Sequence, residues 1–302
     1  MILDFKEMSL EDKTLFDNFF NRPSLNLSEF TFTNLFVWSD YRKIKYSLYE
    51  DGLIIFAKLN NESYFFPPIG YENINDYAIN DIFRKMLEYK MDSNFKIKIN
   101  RVPEVYVNSL DKKFFNIVED RDNFDYVYSR EELIQLKGRK FALKRNFVSN
   151  FFENYEFEYL QYSDKYYDGC LSLAKEWLAK HNNSTSTQAE FNAIIKLLDN
   201  YSHFSNIRGA VLIIDSRVVA FAFGEKLNND TFVIHFEKGN IDYIGIYQTI
   251  NKLFIENEVD KNFLYINREQ DLGIEGIRKA KESYNPVYLV KKYSVDISLR
   301  WE

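Results

Sequence analysis

The sequence predicts a mixed α/β protein made of two similar halves, each a mixed central sheet flanked by helices. Three observations predict it. Short runs of alternating apolar residues, the mark of half-buried strands, are interleaved with longer segments of helical spacing. The order helices, three antiparallel strands, helix, strand, helix, strand occurs twice. Finally, 302 residues lie near the upper limit of one hydrophobic core, so two cores are expected, with the divisions 1–135 and 136–302.

The first half opens with "SLEDKTLFDNFFN", where Ser9 can cap a helix whose Leu10, Leu15, Phe16, Phe19 and Phe20 recur at near-helical spacing. A second helix covers "TNLFVWSDY". "KIKYSLYEDGLIIFAKL" reads as a hairpin turning at Asp51-Gly52, with glycine supplying a positive φ, and "SYFFPP" as a third strand. Then follow an amphipathic helix over 75–91, a strand over 95–100, a short helix over 104–114 and the closing strand "FDYVYS".

In the second half "YEFEYLQ" is strand-like, and "DKYYDGCLSLAKEWLAKH" and "TQAEFNAIIKLLDNYS" are helical. "RGAVLIIDSRVVAFAFGEKL" turns at Asp215-Ser216, and "DTFVIHFEKG" is the third strand. Helix "GIYQTINKLFIENEV", strand "NFLYIN", helix "LGIEGIRKAKESY" and strand "VYLVKKYSV" complete the order. A faint echo, "NFKIKINR" at 94–101 against "NFLYINR" at 262–268, accompanies the repeat. The joint is the charged segment over 129–146, read as a helix bridging two packed domains.

Composition narrows the function classes. A chain with 46% hydrophobic residues, 28 Phe and 22 Tyr against 10 Gly and 5 Pro packs rather than remaining disordered. The start "MILDFKEM" is broken by Asp4, Lys6 and Glu7, and no later run is long enough to span a bilayer, so a cytoplasmic protein with no integral membrane segment is expected. Cys170 has no partner for a disulfide or a metal set and reads as a core thiol; no metal is expected. Net charge of −6 opposes generic nucleic-acid binding, although a local basic patch can still hold phosphate.

Four stretches could carry chemistry. Lys137, Arg139, Lys140, Lys144 and Arg145 form a basic run that is either a solvated helix face or an anion site. At "KGNIDYIGIYQTI" a strand ends in glycine and Gly245 opens a helix, an arrangement that is a plain turn or aims backbone amides at an anion. His235 and Glu237 alternate with Ile234 and Phe236, so period two puts them on one face; His235 is a structural histidine or a general base. After the strand "FLYI", Asn267, Arg268, Glu269, Gln270 and Asp271 crowd the strand end, where α/β folds collect ligands. Asp271 caps the next helix, contacts a ligand, or does both.

The repeated order resembles the GNAT acyltransferase fold. "SEFTFTNLFVWSDY", "LKGRKFALKRNFVSNF", "DYIGIYQTINKLF" and "NREQDLGIEGIRKAKESYNPVYLVKKY" together resemble the family that includes the C-terminal catalytic domain of phosphatidylglycerol lysyltransferases, whose members have tandem GNAT-like halves. The resemblance implies aminoacyl transfer from an aminoacyl-tRNA, as co-substrate, to a hydroxyl or amine on a small-molecule or lipid-derived acceptor. The place in the first half that matches the Gly245 junction, "NINDYAIND", has no glycine, so the first half reads as degenerate and the second as the active one. On the resemblance, the acids at 269 and 271 would recognise a cationic amino acid, the Gly245 junction would supply donors, His235 or Glu237 would accept the proton, and the basic run would hold tRNA phosphates. In the acyl-coenzyme A loop of ordinary GNAT enzymes the pattern is Arg or Gln, two residues, Gly, one residue, Gly or Ala; here Asp242, Gly245 and Tyr247 stand in that register. The acid opposes pyrophosphate and Tyr247 crowds the backbone, which ranks acetyl-coenzyme A below aminoacyl-tRNA as donor. An acetyl-coenzyme A-dependent N-acetyltransferase and a non-enzymatic binding module on the same fold are the alternative readings.

Overall fold

The computed structural model describes residues 2–20, 26–60, 62–89, 97–181 and 184–298. The chain forms two compact units, one of residues 1–125, 270–274 and 290–302 and the other of residues 126–269 and 275–289, each with its own seven-stranded mixed sheet. The expected mixed α/β architecture, two mixed sheets each accompanied by helices, is the one observed.

In the first unit the strands are β1 (Lys6–Glu7), β2 (Lys45–Tyr49), β3 (Gly52–Leu59), β4 (Glu62–Phe65), β5 (Lys98–Pro103) and β6 (Phe115–Glu119), with the late strand β14 (Lys292–Ile297). They lie in the order β1-β2-β3-β4-β5-β14-β6, with β4 and β5 parallel. The helices are α1 (Lys13–Phe20), α2 (Phe32–Val37), α3 (Ser39–Arg42), α4 (Asp76–Leu87) and α5 (Glu104–Val107). Local chemistry starts them where the sequence says: Ser9 and Asp12 cap each other reciprocally ahead of α1, and Asn75 accepts from the Ala78 N–H at 2.9 Å to open α4. Helix α4 buries Ile79, Ile82, Phe83 and Met86 in a core shared with Ile54, Phe65, Ile99 and Val295. Residues 94–96 of the echo and the last positions of the helix expected over 75–91 lie outside the described residues.

The first hairpin turns one step earlier than the Asp51-Gly52 signal implies. The positive φ falls on Glu50 (51°), and Gly52 is already in β3. Its lack of a side chain serves packing, since a Cβ there would lie 2.0 Å from the Tyr71 ring.

In the second unit the strands are β7 (Asp125–Ser129), β8 (Glu158–Gln161), β9 (Ile207–Ile214), β10 (Arg217–Lys226), β11 (Thr231–Gly239), β12 (Tyr265–Asn267) and β13 (Tyr288–Val290). The order is β13-β7-β12-β11-β10-β9-β8; β8 to β11 are antiparallel, β12 is parallel to β11, and β7 is antiparallel to β12. The helices are α6 (Arg130–Gln135), α7 (Ala142–Asn154), α8 (Tyr167–Lys180), α9 (Thr185–Asp199), α10 (Ile246–Glu258) and α11 (Glu275–Glu282). Asp215 and Ser216 both take positive φ, the two-residue turn that the sequence signals between β9 and β10. Helix α10 packs Ile246, Ile250 and Phe254 against Ala220, Ala222, Phe232 and Ile234; the small alanines of β10 let the helix approach.

Two strands sit in the unit opposite to their place in the repeat. "FDYVYS" closes the first half in sequence, but β7 pairs with β12 of the second sheet. "VYLVKKYSV" reads as one strand, yet it divides: β13 stays with the second unit and β14 enters the first sheet between β5 and β6. The chain accordingly passes between units at 125/126, 269/270, 274/275 and 289/290, where the sequence reading has a single division at 135/136. Alternation reveals that a segment is a strand; it carries no information on which edge will bond it. The segment over 129–146 is not one bridging helix: it holds the end of β7, α6 and the start of α7, with a break at Leu136 and Gly138, which take positive φ, and all of it lies within the second unit.

Candidate active site

In the second unit the side chains of interest project from the adjoining strands β10, β11 and β12. Phe223 pairs with Phe236 but Gly224 pairs with Ile234, so β11 carries one extra residue, His235, in a β-bulge. A Cβ on Gly224 would lie 2.4 Å from the Val233 carbonyl oxygen, which is why glycine stands opposite the bulge. The extra residue breaks the period of two. Glu237 shares the face of Phe232 and Ile234 and reaches α10, whereas His235 joins Glu225, which alternates with Phe221 and Phe223 on the other face. The expectation that His235 and Glu237 share a face is thereby corrected.

His235 is buried between two acids, with Nδ1 2.8 Å from Glu269 and Nε2 3.0 Å from Glu225. Burial alone would lower its pKa, but the hydrogen bonds and charges of the two carboxylates outweigh that and push it up to about 9. At neutral pH it is an imidazolium tying β10, β11 and the end of β12 together. A histidine already protonated is not a proton acceptor.

Glu237 has different company. Its Oε2 accepts from Asn251 Nδ2 of α10 at 3.0 Å and pairs with the Arg268 guanidinium at 3.1 Å. Its Oε1 is buried with no hydrogen-bond partner among the described residues. Tyr247, one helical turn before Asn251, lies within electrostatic reach of Glu237; burial raises its pKa and keeps the phenol protonated. Arg268 lies against the rings of Tyr284 (4.8 Å to the centroid) and Tyr128 (5.8 Å).

Residues 22–296 match the model of the family described as phosphatidylglycerol lysyltransferase, C-terminal. The chain belongs to this family. Among solved structures, a conserved protein of unknown function from Bacteroides thetaiotaomicron VPI-5482 is 30% identical, with 98% of this chain and 100% of that one covered at a TM-score of 0.89. The C-terminal domain of a putative lysylphosphatidylglycerol synthetase from Agrobacterium fabrum is 13% identical (96% and 92% covered, TM-score 0.66). L-PGS from Bacillus licheniformis is 15% identical (98% and 94% covered, TM-score 0.64). The last two likenesses concern the fold.

In this member of the lysyltransferase C-terminal family the other candidates disperse. Lys140 pairs with Glu132 at 2.6 Å, Arg145 donates to the Leu136 and Gly138 carbonyls and closes the end of α6, and Lys137 and Arg139 are exposed. Only Lys144 turns toward the Glu237 group, with Nζ 4.3 Å from the centroid of Tyr284. Gly245 has φ 90°, and a Cβ there would lie 2.2 Å from the Phe147 carbonyl oxygen, so this glycine admits α7 close to α10. Asp242 pairs with Lys180 at the surface.

The polar run at 267–271 divides at the chain crossing. Asn267 is buried and accepts from the Glu269 N–H at 2.8 Å, stabilising the turn after β12, where Glu269 has φ 56°. Gln270 and Asp271 belong to the first unit. There Gln270 bonds Ser28, Glu29 and Asp125, while Asp271 accepts from the Gly273 N–H and pairs with Arg121. Asp271 is thus a buried turn residue ahead of α11.

Sequence reasoning missed Glu225, Asn251, Tyr128 and Tyr284. Glu225 had a signal, as a lone polar residue in the otherwise apolar stretch 219–225 of β10; Asn251 is one of three polar residues, with Thr249 and Glu258, among the buried positions of α10. The tyrosines had none in a chain with 22 of them. No group of three or more side chains that could hold a metal ion occurs among the described residues. Nor is any helix among them long and apolar enough to cross a membrane. Burial raises the pKa of the Cys170 thiol, so the cysteine behaves as a core residue.

Proposed function

We propose that this chain is an aminoacyltransferase whose reaction centre is the Glu237 group of the second unit. The observation that carries the reading is the Glu237 carboxylate: one oxygen fixed by Asn251 and Arg268, the other buried and unpartnered. A buried acceptor oxygen without a donor is costly to the fold and is expected where an incoming ligand supplies the donor. Membership of the lysyltransferase family supports an aminoacyl ester of tRNA as the donor and a hydroxyl or amine as the acceptor.

In this scheme Glu237 Oε1 takes the proton of the acceptor nucleophile as it attacks the ester carbonyl carbon. The new C–O or C–N bond forms, the ester C–O bond breaks, and the proton passes to the departing ribose oxygen. Arg268 and Asn251 hold the carboxylate in one rotamer. Tyr247 keeps its own proton to donate to the carbonyl oxygen as that oxygen gains negative charge. His235 acts from the opposite face as a charged strut that fixes β11, which makes it a positioning residue.

The test is transfer from a mixture of charged tRNAs carrying labelled amino acids. Glu237→Gln preserves shape and the contact to Arg268, so kcat is expected to fall about 10²- to 10⁴-fold, the usual contribution of a general base, with the circular dichroism spectrum unchanged. A folded Glu237→Gln protein that transfers at the full rate would remove Glu237 from this role.

A further inference from the structure

Lys144 has a surplus charge that the Glu237 group does not neutralise. Its ammonium is half-buried on the ring of Tyr284, and the Arg268 guanidinium lies 4.8 Å from the same ring centroid. Arg268 is paired with Glu237, whereas the neighbours that act on Lys144 are the Tyr284 ring and the Arg268 charge, with no carboxylate among them. Burial and then the neighbouring Arg268 charge lower the Lys144 pKa. The other cation at this place is already engaged, since Lys281 Nζ donates to the Arg268 and Glu269 carbonyls. Two cations on one ring against a single carboxylate leave one positive charge partly removed from water, an arrangement that an anion would stabilise.

We propose that Lys144 and Arg268, seated on Tyr284, form an anion site that takes a phosphate group, and that the phosphate belongs to the terminal nucleotide of the donor. Which molecule supplies the phosphate rests on the transferase reading; the anion site itself rests on Lys144 and Arg268 alone. The planar guanidinium and the compact ammonium together suit a tetrahedral oxyanion: Arg268 offers fixed N–H directions and Lys144 a rotating donor. The four other cations of the basic run do not contribute, because they are paired, bonded to carbonyls or exposed.

The experiment is calorimetric titration of the full chain with adenosine 5′-monophosphate, inorganic phosphate and adenosine, repeated on Lys144→Met and on Lys140→Met as control. Methionine keeps an apolar stem on Tyr284, and a circular dichroism melt establishes that each variant is folded. Both phosphate compounds are expected to bind and adenosine not. Lys144→Met should weaken binding about tenfold, the effect of losing one charge-assisted contact, and Lys140→Met should leave it unchanged. Absence of phosphate binding to the wild-type chain, or equal binding by a folded Lys144→Met, overturns the site. If phosphate binds through Lys144 but Lys144→Met leaves the KM for charged tRNA unaltered, the assignment to the donor fails. Neither result depends on Glu237→Gln, which tests the chemistry separately.

Discussion

Replacing Lys292 with methionine is expected to be among the most damaging single changes in the first unit. The ammonium is fully buried, with Nζ 2.6 Å from Glu29 and 2.7 Å from Asp125, themselves both buried. Methionine fills most of the volume but removes the charge. Glu29 would keep Arg101 at 3.1 Å; Asp125 would keep hydrogen bonds from the Ser28 N–H, the Ser28 hydroxyl and Gln270 but would lose the Lys292 ammonium. Burial already raises the Asp125 pKa despite the opposing pull of Lys292, so Asp125 is the carboxylate most exposed to the loss of that ammonium. Breaking a buried pair by removing one partner costs about 3–5 kcal/mol, and that loss is expected here at neutral pH. Urea unfolding followed by circular dichroism measures it, and amide exchange in β5 and β14 locates it in the first unit. Adding Asp125→Asn removes the stranded charge while its carbonyl still accepts from Ser28, so the double variant should recover a substantial part of the loss. A loss under about 1 kcal/mol for Lys292→Met, or no recovery in the double variant, would refute the reasoning.

Two further outcomes follow from the second unit. The folded pKa of His235, about 9, lies above the 6.5 of an ordinary histidine, so its contribution to stability is complete below about pH 6.5 and is lost as pH rises toward 9. The loss is about 3 kcal/mol over that window by linkage; urea midpoints across it should fall for the wild type and stay flatter for His235→Gln, and equal slopes would count against the imidazolium. Gly245→Ala puts a Cβ at φ 90° and against the Phe147 carbonyl, so a cost of about 1–3 kcal/mol in urea unfolding is expected; an unchanged midpoint would mean that α7 and α10 are not held at this distance.

What the sequence disclosed depended on how far apart the interacting residues lie. Ser9 capping the start of the first helical segment and Asp215-Ser216 turning the second-unit hairpin act over a few residues, and both were readable from local patterns. Lys292 meets Asp125 and Glu29 at separations of 167 and 263 residues, and within "YLVKKYSV" nothing distinguishes it from the exposed Lys291. The face of His235 depended on one unpaired residue in β11, which is a property of register with β10 and leaves no mark in the alternation of apolar letters. Within the basic run Lys144 and Lys140 read alike; the difference between them is that Glu132 reaches Lys140 and Tyr284 lies against Lys144. Polar residues gathered at the strand end were readable as a cluster. That the chain leaves the second unit in the middle of them was not.

The placement of β14 has a consequence for the order of events during synthesis. Strands β5 and β6 do not bond each other; each bonds β14, so the sheet begun by the earliest residues waits for 292–297 to close. Until then β5 and β6 present open edges, the kind that pair with other chains, while the second sheet needs nothing beyond residue 290. The unit encoded first is therefore the one completed last, and a nascent or clipped chain lacking β14 would carry its aggregation hazard in its oldest part.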